Sequence, residues 1–120
     1  MIVTIKGISS PDVFDLETFI PEESDNFCFL LELSVGPKEE KGCEVFGITG
    51  CTPMWLITNH TNENALFGRH YLIVFEYNYQ LIYDKLLKYI SSIVADTWEE
   101  AALIIGRIGF WEFEDYQKKL

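Results

Sequence analysis

At 120 residues and a formal net charge of -10, the chain is long enough for one domain with its own core, and too acidic to be drawn to a nucleic acid backbone. With 48% hydrophobic and 15% aromatic residues it is too apolar for disorder, yet no segment reaches the roughly 20 apolar residues of a membrane helix. Cys28, Cys43 and Cys51 are an odd number without metal-site spacing, and read as free thiols of a reducing cytosol.

Met1 to Ser9 is rich in β-branched residues and predicts a first strand; it lacks the basic and long apolar stretches of a secretory signal, so none is expected. Ser10-Pro11-Asp12 can open a short helix with Ser10 as N-cap, although Pro21 and the surrounding acids argue for a loop soon after. From Phe27 to Val35 the alternation is clean. Phe27, Phe29, Leu31, Leu33 and Val35 share one face, and Cys28, Leu30, Glu32 and Ser34 the other, so one face is committed to a core. Gly36 to Gly42 reads as a turn, and Glu44 to Cys51 resumes the strand pattern, which predicts an antiparallel hairpin with Glu39 and Glu40 at its tip.

Thr52 and Pro53 then suit the N-cap and first position of a short helix that packs Trp55 and Leu56 inward, followed by a polar loop from Thr58 to Gly68. Arg69 to Tyr77 is apolar on both faces, as expected of a central strand covered on both sides. Asn78 can cap a helix whose apolar positions Ile82, Leu86, Tyr89, Ile90 and Ile93 form an inward stripe, with Lys85 and Lys88 off it. Thr97-Trp98-Glu99-Glu100 is a capping box for a last helix that glycines 106 and 109 should end near Ile108. The closing run Trp111-Glu112-Phe113-Glu114-Asp115-Tyr116 alternates rings with acids. It predicts a docked, extended tail with Trp111 and Phe113 inward and Glu112 and Glu114 toward water. Strands first and helices later predict an α+β fold: a single domain over 1–120, mainly antiparallel sheet in the first two thirds, with two amphipathic helices packed on one face.

Three segments carry a likeness: Phe29 to Pro37, ending in Gly36-Pro37; Phe46 to Leu56, with Cys51-Thr52-Pro53-Met54-Trp55-Leu56; and Trp98-Glu99 through Arg107 to Trp111-Glu112-Phe113-Glu114-Asp115-Tyr116. In this order and spacing, with the His70-Tyr71-Leu72-Ile73-Val74 strand between them, the chain resembles the immunity protein 8 family of bacterial polymorphic toxin and contact-dependent growth inhibition systems. The resemblance implies a small cytoplasmic protein, made beside a toxin, that binds the toxin's C-terminal domain and blocks it without catalysis, cofactor, nucleic acid or membrane. It would act as a monomer or weak homodimer. Partner toxins in such systems are often nucleases with basic clefts, which an acidic inhibitor complements.

The family's motif residues are those a scaffold needs, so Trp55, Trp98, Trp111 and Phe113 are assigned to the core or its edge. Contact is expected of the acids. Asp12, Asp15, Glu17, Glu22, Glu23 and Asp25 occur without one Lys or Arg among them, in a flexible loop easier to order against a cationic surface, and Glu22, Glu23 and Asp25 rank first as toxin-facing. Glu39 and Glu40 follow, flanked by Lys38 and Lys41, and Glu112, Glu114 and Asp115 lie on the docked tail. For catalysis, Cys51, His60 and His70 are the only thiol and imidazole set, and neither context is a known nucleophile elbow. The cysteines and histidines lack the close pairs of zinc sites, and no metal is expected. The alternative is a non-enzymatic adaptor or homo-oligomeric module that uses the aromatic tail and central strand as a self-interface.

Overall fold

β-branched and aromatic residues at every second position build a sheet, and the two helical stripes close one side of it. The computed structural model describes residues 1–114. In chain order the elements are β1 (Val3–Ser9), β2 (Cys28–Pro37), β3 (Glu44–Cys51), α1 (Pro53–Asn59), β4 (Tyr71–Ile73), α2 (Tyr79–Ser91), α3 (Trp98–Ile105) and β5 (Phe110–Trp111). They form a five-stranded, mostly antiparallel α+β fold in the order β1-β2-β3-β4, with β5 also paired to β3. The expected hairpin runs in register from Cys28 opposite Cys51 to Val35 opposite Glu44. Between β1 and β2 the register slips from Ile5 opposite Val35 to Gly7 opposite Ser34, so Lys6 sits in a bulge. Its Nζ donates to the Glu40 carbonyl at 2.7 Å.

The core lies on the face predicted from alternation. Phe29, Leu31, Leu33 and Val35 of β2 and Phe46 and Ile48 of β3 are buried with Ile82, Leu86 and Ile90 of α2 and Ala101, Ala102 and Ile105 of α3. Small residues on α3 let that helix sit close to the sheet. The caps are as the sequence reads: Asn78 Oδ1 accepts from Leu81 N, and Thr97 Oγ1 from Glu100 N at 3.2 Å. The Glu100 carboxylate reaches back to Asp96 N at 3.0 Å, one residue before the cap. α3 ends at Ile105, earlier than Ile108, because past Gly106 the bonds tighten to the third residue back, Arg107 N donating to Ile104 O and Ile108 N to Ile105 O.

Three expectations are corrected. The Ser10-Pro11-Asp12 helix does not form: Ser10 Oγ accepts from Asp12 N and Asp15 Oδ1 from Glu17 N, local bonds that compete with helical ones. The chain from Ser10 to Asn26 is instead irregular and docked. Val13 and Leu16 are buried, Asp12 Oδ2 caps the Leu30 N–H at 2.9 Å, and the Tyr77 hydroxyl donates to Leu16 O. Tyr77 stands among Phe19, Phe27 and Phe29 with ring centroids 5.0, 5.6 and 5.9 Å away. Burial, then Tyr79 and Asp15 nearby, pushes its phenol up to about 12.

The second correction concerns Arg69 to Tyr77, which is no central strand. Only Tyr71–Ile73 is extended, pairing parallel to Thr49–Cys51, and Phe75 is 79% exposed. The reason is that β3 has little edge to offer: β5 pairs with Phe46 and Gly47 before the β4 contact begins, and beyond it β3 itself ends at Cys51, where Thr52 caps α1. After Val74 N donates to Cys51 O the chain leaves the sheet, and Tyr77 N bonds Ser24 O.

Third, the tail stays extended only through Trp111. It then turns, with Glu114 N donating to Trp111 O at 2.9 Å, so Phe113 is 41% exposed and Glu114 faces Arg69 rather than water. Asp115 and Tyr116 lie outside the described residues. Trp111 itself docks as expected. It stacks on Phe46 at 6.2 Å and donates its indole N–H to Glu44, while Trp98 meets Phe46 from an edge at 6.4 Å.

Two substitutions test this packing. Thr52 is fully buried and its Oγ1 accepts from both Phe27 N and Trp55 N. Thr52→Val keeps the shape and removes both bonds, and urea unfolding should show a loss of about 1–3 kcal/mol. At Gly109 an added Cβ would lie 2.9 Å from Phe46 Cβ and 3.2 Å from Ile48 Cγ1. Gly109→Ala should therefore cost about 1–3 kcal/mol through overpacking; an unchanged melting temperature would show that β5 can shift away from β3.

Candidate functional site

The helices cover one face of the sheet, and the alternation that fills the core must place the other residues of β2 and β3 on the opposite side. Those residues are Leu30, Glu32 and Ser34 on β2 and Val45, Gly47 and Thr49 on β3, paired across as Leu30 with Thr49, Glu32 with Gly47 and Ser34 with Val45. β5 extends the middle row, since Gly47 also pairs with Phe110. A groove of about 610 Å³ runs over this face, walled on the far side by Arg69, His70, Phe110 and Glu112. Leu30, Val45 and Phe110 are exposed there, Phe110 at 58%. Apolar Leu30, Val45 and Phe110 beside Glu32 and Glu112 make this face a candidate surface for a partner.

Local structure fixes the far wall. His70 has φ +63, a left-handed conformation that costs a side chain energy and is held by bonds on both sides. Its carbonyl accepts from Thr49 N at 2.8 Å, starting the β3–β4 ladder, and its Nε2 lies 2.8 Å from Gly106 O after α3. The ring stands 6.1 Å from Phe110. Arg69 is held by the Glu114 carboxylate, so the groove's one arginine is already paired. Neither Glu32 nor Glu112 has an ion-pair partner among the described residues.

The acids singled out by sequence are not gathered in one place. Glu22, Glu23 and Asp25 are exposed on the loop that enters β2, at the Cys28–Cys51 end of the hairpin. Glu39 and Glu40 are exposed at the opposite end, about 23 Å away by the strand rise. Glu112 stands exposed at the groove, and Glu114, half-buried, is its neighbour through Arg69. Asp115 falls outside the described residues. The open face spans the gap between the two ends. Reading for acids missed Leu30, Val45 and Phe110, and missed Glu32 because it sits inside a strand; the signal was the second face of the β2 alternation, which two helices packed on the other side leave bare.

The family model described as Immunity protein 8 matches residues 3–116. The chain belongs to the immunity protein 8 family. No curated protein and no solved structure gives a significant match. As an immunity protein it is directed against a toxin, which makes a surface for a protein partner the relevant kind of site.

The thiols and imidazoles of this immunity protein are engaged separately. His60 Nδ1 is 2.7 Å from Glu63 Oε1, and Trp55 packs an edge against its ring at 5.6 Å. His70 is committed to Gly106 O, and Cys51 is fully buried opposite Cys28. Among the described residues no three His, Cys, Asp or Glu side chains come together as a metal site. No helix there is long and apolar enough to cross a membrane. Burial, and then Cys28 beside it, pushes the Cys51 thiol up to about 11, so it stays protonated at neutral pH. Cys43, by contrast, is exposed. Under native conditions at pH 8, mass spectrometry after brief iodoacetamide treatment should find Cys43 alkylated and Cys51 untouched until urea is added; early loss of the Cys51 thiol would mean that the α1 end of the sheet opens readily.

Proposed function

We propose that this immunity protein neutralises its cognate toxin's C-terminal domain by electrostatically complementary contact, and that the toxin is a nuclease with a basic cleft. The observation that carries this reading is the charge. Nineteen acids face nine Lys and Arg, and the acids Glu22, Glu23 and Asp25 of the loop before β2, Glu39 and Glu40 of the hairpin tip and Glu112 at the groove are exposed. An enzyme that binds phosphate backbones presents the opposite sign, so encounter is accelerated over the Debye length of roughly 8 Å. The protein acts in the cytoplasm as a monomer or weak homodimer, with residues 1–120 as one binding unit, and needs no catalysis: occupying the toxin suffices.

Glu22, Glu23 and Asp25 steer from a loop that is docked at Val13, Leu16 and Tyr77, so they meet the partner from a formed surface rather than having to be ordered by it. Glu39, Glu40, Glu112, Glu114 and Asp115 serve as further acids of the same field. Steering of this kind governs association more than dissociation.

The direct test expresses the neighbouring toxin's inactive C-terminal domain with this protein, measures capture, and then asks whether growth is rescued from the active form. In stopped-flow binding, association should slow as salt rises from low to about 0.5 M, and the triple reversal Glu22→Lys, Glu23→Lys and Asp25→Lys should slow it by about tenfold. Rates indifferent to salt would remove the electrostatic reading, and rates indifferent to the reversal would take the loop out of the interface. A self-associating module would instead show a dimer that persists at high salt and no rescue.

A further inference from the structure

The middle row of the open face has an unusual composition. Read across three strands it is Glu32, Gly47, Phe110: a carboxylate, no side chain, and an aromatic ring. Neighbouring strands are spaced about 4.8 Å apart, so the missing side chain leaves a slot about 9 to 10 Å wide between acid and ring. Leu30 and Val45 line its ends, and Glu112 adds a second carboxylate beside the ring.

Nothing in the fold requires glycine at 47. The residue lies within a regular strand, its φ is not positive, and an added Cβ would meet only Leu30 Cδ1, at an ordinary 3.6 Å. The contrast with Gly36 is sharp, where a Cβ would fall 2.2 Å from the Gly42 carbonyl, and with Gly109 packed on Phe46. A glycine that weakens a strand without a steric need marks a place where another group approaches closely.

We infer that this slot receives a basic side chain of the toxin, arginine foremost, with its planar guanidinium laid on the Phe110 ring and its N–H groups directed to Glu32 and Glu112. The inference rests on the toxin-binding reading and names where that binding is anchored. Its chemistry is complementary on each side. An aromatic face attracts a guanidinium, carboxylates accept from it in pairs, and Leu30 and Val45 cover the aliphatic stem. The groove is lined by Glu32, Glu112 and one guanidinium, that of Arg69, which Glu114 already holds. A second copy of this chain is a poor occupant, since face-to-face pairing would set Glu32 and Glu112 against their own like and bring together two proteins of charge -10.

The test uses the full chain and the inactive C-terminal domain of the neighbouring toxin in a calorimetric or surface-based binding assay. Gly47→Thr fills the slot with a residue suited to a strand, and its melting temperature should equal or exceed that of the wild type, while the dissociation constant rises at least tenfold. Glu32→Gln, which keeps the shape and removes the charge, and Phe110→Leu, which keeps bulk and removes the ring face, should each weaken binding in the same direction, chiefly through faster dissociation. If the wild type binds and both folded variants Gly47→Thr and Glu32→Gln bind as tightly, the slot is not the anchor and the inference falls while toxin neutralisation stands. If the wild type itself does not bind, the toxin-binding reading falls and the slot falls with it. A wild-type dimer in sedimentation that Gly47→Thr dissociates would assign the slot to self-association and overturn the inference as well.

Discussion

Every pairing that organises this protein beyond β1 passes through β3, and the strand has only two edges. One is taken by β2 along its whole length; the other is divided between β5 at Phe46 and Gly47 and β4 at Thr49 to Cys51. The two guests meet end to end at Ile48, so neither can extend toward the other. Gly109 lets the incoming chain approach within contact of Phe46 and Ile48, Trp111 then stacks on Phe46, and Trp98 closes the ring from the other side. The same docking that buries Trp111 on one face puts Phe110 on the other. Core and groove therefore share one two-residue strand, and a change that loosens it should disturb both faces of the sheet together.

Much of this fold is legible in the residues themselves. Alternation in Phe27 to Val35 and Glu44 to Cys51 locates the hairpin and its core face, and Thr52, Asn78 and Thr97 announce three helices by the bonds their side chains make to amides that a helix start leaves open. Arg69 to Tyr77 misleads because an apolar run states that a segment seeks cover, and not that a strand edge is available to it. Phe75 remains exposed since β3 ends at Cys51 and has no more edge to give. The tail misleads in a similar way. Its alternation is real, but pairing ends at Trp111, and Arg69 draws Glu114 into a turn, a contact between residues 45 apart that local pattern does not contain.

The candidate site is half legible for a different reason. Acids announce themselves by type, so the exposed carboxylates of the loop, the hairpin tip and the tail are all found, yet their spatial relation depends on topology. Two groups lie at opposite ends of one hairpin, and what joins them is a set of apolar and small residues whose importance comes only from being left uncovered. Leu30 or Gly47 taken alone is unremarked in the sequence; beside Glu32 and Phe110 each acquires a position in a surface. The loop before β2 shows the converse, where six like charges suggest mobility and buried Val13, Leu16 and a hydrogen-bonded Tyr77 hold the chain in place.

The bulge at Lys6 bears on how such a surface can change over time. β1 offers the longest outer edge of the sheet, and a kinked backbone with an amine at its middle discourages another chain from adding a strand there. With strand addition disfavoured along that edge, the open face presents its side chains over an intact ladder. Each of these can be exchanged without altering strand register, so that face can vary by single codon changes while the scaffold stays as it is.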